Sequence, residues 1–416
     1  MRSSLSLSIP TCALVACTAL QAQEMKLNAV VDLWYTQMLD NNLRLDSPAK
    51  YYQLNGAFQE NGFSIRRSEI YVAGKIDDAL SFNVMLEPNT ATSTTSPTIL
   101  QDAFITWKAL PSLAIKAGQF KPLQTYEGSL VSSSEVLFYD RSQMGKLFGD
   151  KRDRGLVATW SWGKPEGFSG KVNIGAFNGS SDKDNGKAND ANAQKDFVTR
   201  FEFAYGKTHK FGLYTRHGST DAADKGALSV YPFAYAGSSA PTSAEILDNK
   251  DKTRNLGIYY AFENARWIAQ VESITGLLGR RFPSVGASAT PQPVASRQYL
   301  DQKFLGYVLT GGVKTGAHTF LVRYDVLDYN QGTKFYGPYN PYTQNTTTGA
   351  ALGADYTPRF TEITAGWNYT WTPAKWALAN VKLDYIHRSK NMLIPRAGQT
   401  GEQGGDSLVA ALQIGF

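Results

Sequence analysis

Leu27-Asn28-Ala29-Val30-Val31-Asp32-Leu33-Trp34-Tyr35 puts Leu27, Ala29, Val31, Leu33 and Tyr35 on one side, while Asn28, Asp32 and, just beyond, Thr36 share the other. A period of two sends successive side chains to opposite faces of a strand, so this segment reads as β with one apolar face. From Lys26 onward the unit recurs: about ten alternating residues, then a turn, with no helix-period stretch of comparable length. Strands are expected near Phe63 to Ile76, Leu80 to Glu87, Ile99 to Lys108, Leu113 to Phe120, Gly155 to Trp162, Ser169 to Asn178 and Phe197 to Tyr205. The second half adds Lys210 to Gly218, Arg254 to Phe262, Arg266 to Thr275, Lys303 to Thr310, His318 to Leu327, Arg359 to Trp371, Ala379 to Arg388 and Ser407 to Phe416. The total is sixteen.

The connections alternate in length. Seven are tight, such as Asp77-Asp78-Ala79 and Glu263-Asn264-Ala265, and eight are long, the longest around Lys121 to Arg154, Ser219 to Thr253 and Asp328 to Pro358. A strand protein crosses lipid only as a closed barrel, because every backbone N–H and C=O must be paired. Such barrels carry short turns on the periplasmic rim and long loops outside. The expectation is therefore an all-β fold: a transmembrane antiparallel β-barrel of 16 strands with short periplasmic turns, long external loops and both termini on the periplasmic side. A soluble sandwich would bury its apolar faces between two sheets, and sixteen nearest-neighbour strands without a crossover fit it less well. Trp34, Tyr35, Trp107, Trp160, Trp162, Tyr205, Tyr260, Phe262, Trp267, Trp367, Tyr369 and Trp371 fall toward strand ends, as interfacial girdles do. Ordinary core packing is their alternative.

Residues 1–22 carry Arg2, an apolar stretch around Ala13 to Ala19 and the close Leu20-Gln21-Ala22, which reads as an export signal cleaved after Ala22. Leu14-Val15-Ala16-Cys17 offers the alternative of acylation at Cys17. Both cysteines, Cys12 and Cys17, lie in this segment, so residues 23–416 contain no thiol for a disulfide, a thiolate metal site or a nucleophile. The 42 basic residues, against 36 acidic, are scattered rather than gathered in a stripe or basic tail, which argues against a nucleic-acid partner. Beyond residue 22 there is no uncharged apolar run of the roughly 18 residues that a spanning helix needs.

Three segments carry a family resemblance. Gly118-Gln119-Phe120-Lys121-Pro122 with Glu127, Phe138-Tyr139-Asp140-Arg141-Ser142, and Asp153-Arg154-Gly155 resemble the phosphate-selective porins O and P. Phe63-Ser64-Ile65-Arg66-Arg67, Val72-Ala73-Gly74 and Asp102-Ala103-Phe104-Ile105 resemble that family's earlier strands. The close Leu408-Val409-Ala410-Ala411-Leu412-Gln413-Ile414-Gly415-Phe416 resembles the terminal strand of outer-membrane barrels, where a final Phe implies recognition by the barrel assembly machinery. The resemblance implies a homotrimeric sixteen-stranded porin in the outer membrane of a Gram-negative bacterium, surrounded by its lipid. It further implies that the third external loop, residues 121–154, folds into the lumen and constricts it.

Passing a small anion such as phosphate requires only fixed cations, spaced so that none binds too tightly. The 121–154 loop supplies Lys121, Arg141, Lys146, Lys151, Arg152 and Arg154 against Glu127, Glu135, Asp140, Asp150 and Asp153, a near balance. The resemblance makes Lys121 and Arg141 the leading constriction candidates, with Lys146, Arg152 and Arg154 beside them. A salt bridge pinning the loop is the alternative role. Polar strand faces add Arg67, Lys116, Arg200, Arg216, Arg254, Arg323, Lys382 and Arg388 as lumen-wall cations, offset by Asp32, Asp102, Glu202, Glu272, Asp325, Glu362 and Asp384. Pairs two apart, Arg200 with Glu202, Arg323 with Asp325 and Lys382 with Asp384, read as wall ion pairs.

No nucleophile elbow, phosphate-binding loop or metalloprotease motif is present, and no cofactor is implied. His209, His217, His318 and His387 share phase with apolar residues and are expected to face lipid. Asp182 to Gly186 resembles a calcium loop but has its Gly one place early and no closing Glu. The Tyr-rich loop Tyr329 to Tyr342 offers rings for stacking on sugars or, more commonly, on neighbouring loops. The functional expectation is passive diffusion of small anions, phosphate or other oxyanions first. A general or cation-tolerant porin and a non-conducting adhesion barrel are the rivals.

Overall fold

The computed structural model describes residues 24–39, 61–88, 99–179, 194–219, 252–282, 298–328, 331, 359–375, 377–392 and 403–416. The 1–22 segment with its two cysteines, the Asp182 to Gly186 loop and, except for Gln331, the Tyr-rich loop lie outside them. All sixteen expected strands form: β1 (Glu24–Met38), β2 (Gly62–Lys75), β3 (Leu80–Leu86), β4 (Leu100–Leu110), β5 (Leu113–Phe120), β6 (Asp153–Gly163), β7 (Phe168–Phe177) and β8 (Asp196–Tyr205). They continue as β9 (His209–Ser219), β10 (Lys252–Glu263), β11 (Trp267–Phe282), β12 (Gln298–Thr315), β13 (His318–Asp328), β14 (Arg359–Ala374), β15 (Ala377–Met392) and β16 (Gln403–Gly415). Each pairs antiparallel with its sequence neighbours, and β1 pairs with β16 from Val30↔Gly415 to Met38↔Ser407 to close the ring. Ala29 and Phe416 complete the seam by exchanging backbone hydrogen bonds of 2.9 and 3.1 Å.

The alternation decides which face meets lipid. In β1, Leu27, Val31 and Leu33 are exposed on the outside, whereas Asp32, Trp34 and Thr36 are buried toward the lumen. In β16, Leu408, Leu412, Ile414 and Phe416 are exposed outside. With no water in the hydrocarbon to satisfy a polar face, this is the only phase in which the strands can sit in a bilayer. Trp107, Trp160, Trp162, Tyr205, Trp267 and Trp371 form an exposed aromatic band near the short-turn rim. Trp34 does not belong to it: its indole points inward, donates to Asp32 at 3.0 Å and meets Tyr139 edge-on at 5.2 Å. Being one residue out of phase with Leu33 puts it on the lumen side.

One further assignment changes, and one residue joins the lumen face. Arg254 shares phase with Leu256, Ile258 and Tyr260 and is exposed on the outer face, while Thr253 and Asn255 turn inward. A local irregularity in β2 adds the residue: Asp32 opposes Arg67 but Leu33 opposes Ile65, so Arg66 is an inserted residue. The bulge lets Arg66 and Arg67, consecutive in sequence, both serve the lumen side.

Parts of the lumen face are apolar. Trp34, Ile268, Leu321, Ile386, Val409 and Ala411 pack with Phe138, Tyr139 and Leu137 of the loop between β5 and β6. Phe120, Val157, Phe177 and Val198 form a second cluster, with Phe104 and Leu123 against it. The inner wall is therefore a docking surface for that loop over much of its circumference.

Candidate functional site

The loop, residues 121–152, holds its shape by two helical turns packed on glycine. Tyr126–Ser129 is capped by Thr125, whose hydroxyl accepts from Gly128 N at 3.1 Å; Gly145–Gly149 is closed by Asp150 N donating to Gly145 O at 3.0 Å. A Cβ at Gly128 would overlap Gly145 O and stand 2.6 Å from Gly149 Cα. Only glycine permits this crossing.

Wall side chains then grip the loop by its main chain. Glu272 accepts from Tyr126 N at 2.6 Å, Asp384 from Tyr139 N at 2.5 Å and Asp325 from Gln143 N at 2.6 Å. Lys382 donates to Val136 O at 2.5 Å and Phe138 O at 3.2 Å, Asn368 to Leu137 O at 2.5 Å and Gln413 to Ser133 O at 3.1 Å. Arg323 donates to Asp140 O at 2.8 Å and to Glu362 at 3.0 Å, with its guanidinium 4.6 Å from the Phe138 ring. Arg200 donates to Thr125 O at 3.3 Å and Ser129 Oγ at 2.9 Å. Arg388 joins Glu362, Ser407 and the Tyr139 hydroxyl at 2.9, 3.2 and 3.0 Å.

The expected neighbour pairs divide accordingly. Arg200 approaches Glu202 at 3.6 Å. Arg323, by contrast, bonds Glu362 across strands while Asp325 serves Gln143, and Lys382 and Asp384 both turn to loop backbone. Buried backbone groups must find partners, and the inserted loop presents them at the height of these charges.

Two loop carboxylates gather most of the remaining cations. Asp140 Oδ2 accepts from Arg66 Nη2 at 2.9 Å and Lys146 Nζ at 2.8 Å, and Arg67 Nη2 lies 3.6 Å from its Oδ1. Asp150 meets Lys121 at 2.5 Å, Arg141 at 3.2 Å and Arg67 at 3.8 Å. Burial pushes both carboxyls up, but these charges more than reverse it and hold Asp140 and Asp150 well below the ordinary range. Burial also pulls the Lys121 ammonium down to about 7, with Asp150 opposing.

Each sequence candidate now has a place. Arg141 is fully buried inside the loop, donating to Glu127 O, Val131 O and Asp150. Lys121 bonds Gly128 O at 2.9 Å as well as Asp150 and is mostly covered. Arg152 is buried against Asp102 at 3.1 Å and Met85 Sδ at 3.4 Å. Lys146 keeps about a quarter of its side chain exposed. Arg154 lies in β6 rather than the loop, because the strand begins at Asp153, and it takes the outward phase of Leu156 and Trp160. Arg216 turns inward to Asp196, with Nε at 2.5 Å. Lys116 faces the lumen between the rings of Phe104 and Phe120, 4.4 and 5.1 Å from their centroids.

Sequence reasoning passed over Lys171, Lys207, Lys210 and Arg66. Lys171 alternates in β7 with Ser169 and Asn173, a visible lumen phase, and Lys210 alternates in β9 with Tyr214 and Arg216. Below the loop, toward the short-turn rim, a cavity of ≈ 1080 Å³ is lined by Lys171, Lys207 and Lys210 together with Glu127, Glu135 and Leu130. Lys116, Lys171, Lys207 and Lys210 have no carboxylate at ion-pair distance among the described residues. The short-turn side of β7 to β9 is thus where these lysines meet open space, with Glu202 opposite Lys171.

The chain is similar to the outer membrane channel DcaP of Acinetobacter baumannii, with a TM-score of 0.53 and 11% identity over 94% of this chain and 97% of that one. It is similar to OmpT of Vibrio cholerae in its trimer form, with a TM-score of 0.52 and 10% identity over 94% and 99%, and to that protein's loop L8 deletion mutant, 0.52 and 10% over 95% and 100%. These likenesses establish the shared fold. No curated protein matches the sequence. The phosphate-selective porin O and P family matches residues 40–393, most of the chain. With that match joined to a closed sixteen-stranded barrel, the chain belongs to the phosphate-selective porin O and P family and is an outer-membrane porin of a Gram-negative bacterium.

Proposed function

We propose that this porin gives passive diffusion to small anions, with phosphate and other oxyanions as its leading solutes. The observation that carries the reading is the set of inward lysines on β5 to β9. Lys171 and Lys210 line the open space on the short-turn side of the loop and Lys116 faces inward on β5; none has a carboxylate at ion-pair distance among the described residues, although Glu202 opposes Lys171 across the strands. A fixed ammonium beside a low-dielectric wall raises the local anion concentration without binding so tightly that release fails. In this reading the cations of the loop are structural: Arg141 and Arg152 brace it, and Lys121 and Lys146 contribute to the path only through their exposed margins. The Phe104 and Phe120 faces take the Lys116 ammonium itself.

A general porin is the second reading. Glu127 and Glu135 line the same cavity, and they would temper any anion preference. The trimer form described for OmpT makes a homotrimer the expected assembly here. Cleavage after Ala22 and recognition of Phe416 by the barrel assembly machinery complete the proposal, and intact mass tests the first.

Planar-bilayer reversal potentials in a chloride gradient test the function. Anion-directed reversal with block by added phosphate, both weakened in Lys116→Glu and Lys171→Glu, is the expected result. Reversal near zero with no phosphate block would make the general porin correct, and a folded barrel without conductance would refute both readings. Lys121→Glu, which attacks the loop, should alter conductance more than selectivity.

A further inference from the structure

The cavity beneath the loop is not uniformly polar. Tyr126, Leu130, Val131 and Leu137 present apolar surface to it, and Leu130 is 36% exposed, whereas Lys207 and Lys210 stand on the neighbouring wall. Tyr126 stacks on Tyr259, with ring centroids 5.0 Å apart and planes at 27°, and the Arg200 guanidinium stands 4.9 Å from the Tyr259 ring. Tyr259 opposes Gly212, and Lys210 is the next inward residue of the same strand toward the short-turn rim. A side pocket of ≈ 280 Å³ brings Tyr126, Lys207 and Lys210 together, with Glu263 beside them already paired to Lys314. An aromatic platform and paired ammonium groups therefore share one recess.

Apolar surface does nothing for a hydrated phosphate. A carboxylate attached to a ring, by contrast, would remove apolar area from water on both sides and keep its charge on the lysines. We propose that this recess is a subsite for aromatic monocarboxylates, the ring lying against Tyr126 and Leu130 and the carboxylate on Lys207 and Lys210. The inference rests on the anion-porin reading above and names a solute class within it.

Benzoate and acetate carry the same single carboxylate, so comparing their block of chloride current through the purified porin isolates the ring. Wild type should be blocked by benzoate at about tenfold lower concentration than by acetate, the magnitude of one aromatic contact. Tyr126→Ser should bring that ratio below about threefold, Tyr126→Phe should retain it, and Lys210→Gln should weaken block by both anions. The ratio is internal to each protein, so a change in overall conductance cancels. Equal block of wild type by the two anions would overturn the subsite, as would a ratio that survives Tyr126→Ser. The chloride reversal potential, recorded on the same channels, reports separately on the anion reading: anion-directed reversal with equal block fails the subsite alone.

Discussion

Asp140→Asn should release the lumen loop without unfolding the barrel. The carboxylate accepts from Arg66 at 2.9 Å, Lys146 at 2.8 Å and Arg141 N at 2.9 Å, with Arg67 at 3.6 Å, and its own side chain is almost fully covered. Removing one partner of a buried ion pair costs about 3–5 kcal/mol. Arg66 and Lys146 keep roughly a quarter of their side chains exposed, so water screens part of the effect and the lower end, about 3 kcal/mol, is appropriate. That is about 150-fold in the ratio of released to docked loop. None of the sixteen strand pairings involves Asp140, so the barrel itself should persist. Limited proteolysis within residues 121–152 reads the released fraction when opening is fast compared with cleavage. Cleavage faster by about two orders of magnitude, with noisier single-channel current, is expected; Arg66→Met should give a smaller change in the same direction. A cleavage rate within twofold of wild type would refute the view that this charge cluster holds the loop.

Four further outcomes follow from the geometry. Lys121, pulled to about 7 by burial, should titrate near neutrality in an NMR spectrum of methyl-labelled lysines, and Lys121→Arg should remove that signal. The sign is that of a base depressed on docking: the docked loop holds fewer protons than the free loop between about 7 and the ordinary 10.5, so this group favours docking more as pH rises through that window. Gly128→Val, forced against Gly145 O and Gly149 Cα, should increase loop cleavage more than Val131→Ala, read by the same proteolysis. Ile258→Arg, exposed on the lipid face of β10, should cost about 2–4 kcal/mol in vesicle refolding if it sits near the midplane, whereas Arg254→Gln on the same face near the long-loop rim should change stability by less than about 1 kcal/mol.

The barrel was legible because its rule is local. Leu27 to Tyr35 and Leu408 to Phe416 declare their lipid face by alternation, and the length of each connection declares its rim. The loop anchors were not, because they depend on residues far apart in sequence: Asp140 O receives Arg323 from 183 positions away, and Gln413 reaches Ser133 across 280. Charges two apart in a strand look like natural partners, yet at Arg323 and Lys382 groups brought in by the loop and by the neighbouring strand took their place. Phase failed at Arg254 because Thr253 and Asn255 are polar too, and only Leu256, Ile258 and Tyr260 beyond them decide which side is lipid. At Arg66 an inserted residue shifted the count by one, which no alternating pattern reveals.

Nine of the wall's hydrogen bonds to the loop end on main-chain atoms: Tyr126 N, Tyr139 N, Gln143 N, and the carbonyls of Thr125, Ser133, Val136, Leu137, Phe138 and Asp140. Peptide groups are the same whatever side chain they carry, so the barrel specifies the course of the loop while leaving many of its side chains open to substitution. Retuning the passage thus requires no redesign of the scaffold. Residues such as Leu130, Val131 and Glu135 can be exchanged as one would change the teeth of a comb held by its spine, and a library varied at those positions alone should yield channels of different solute preference on one unaltered frame.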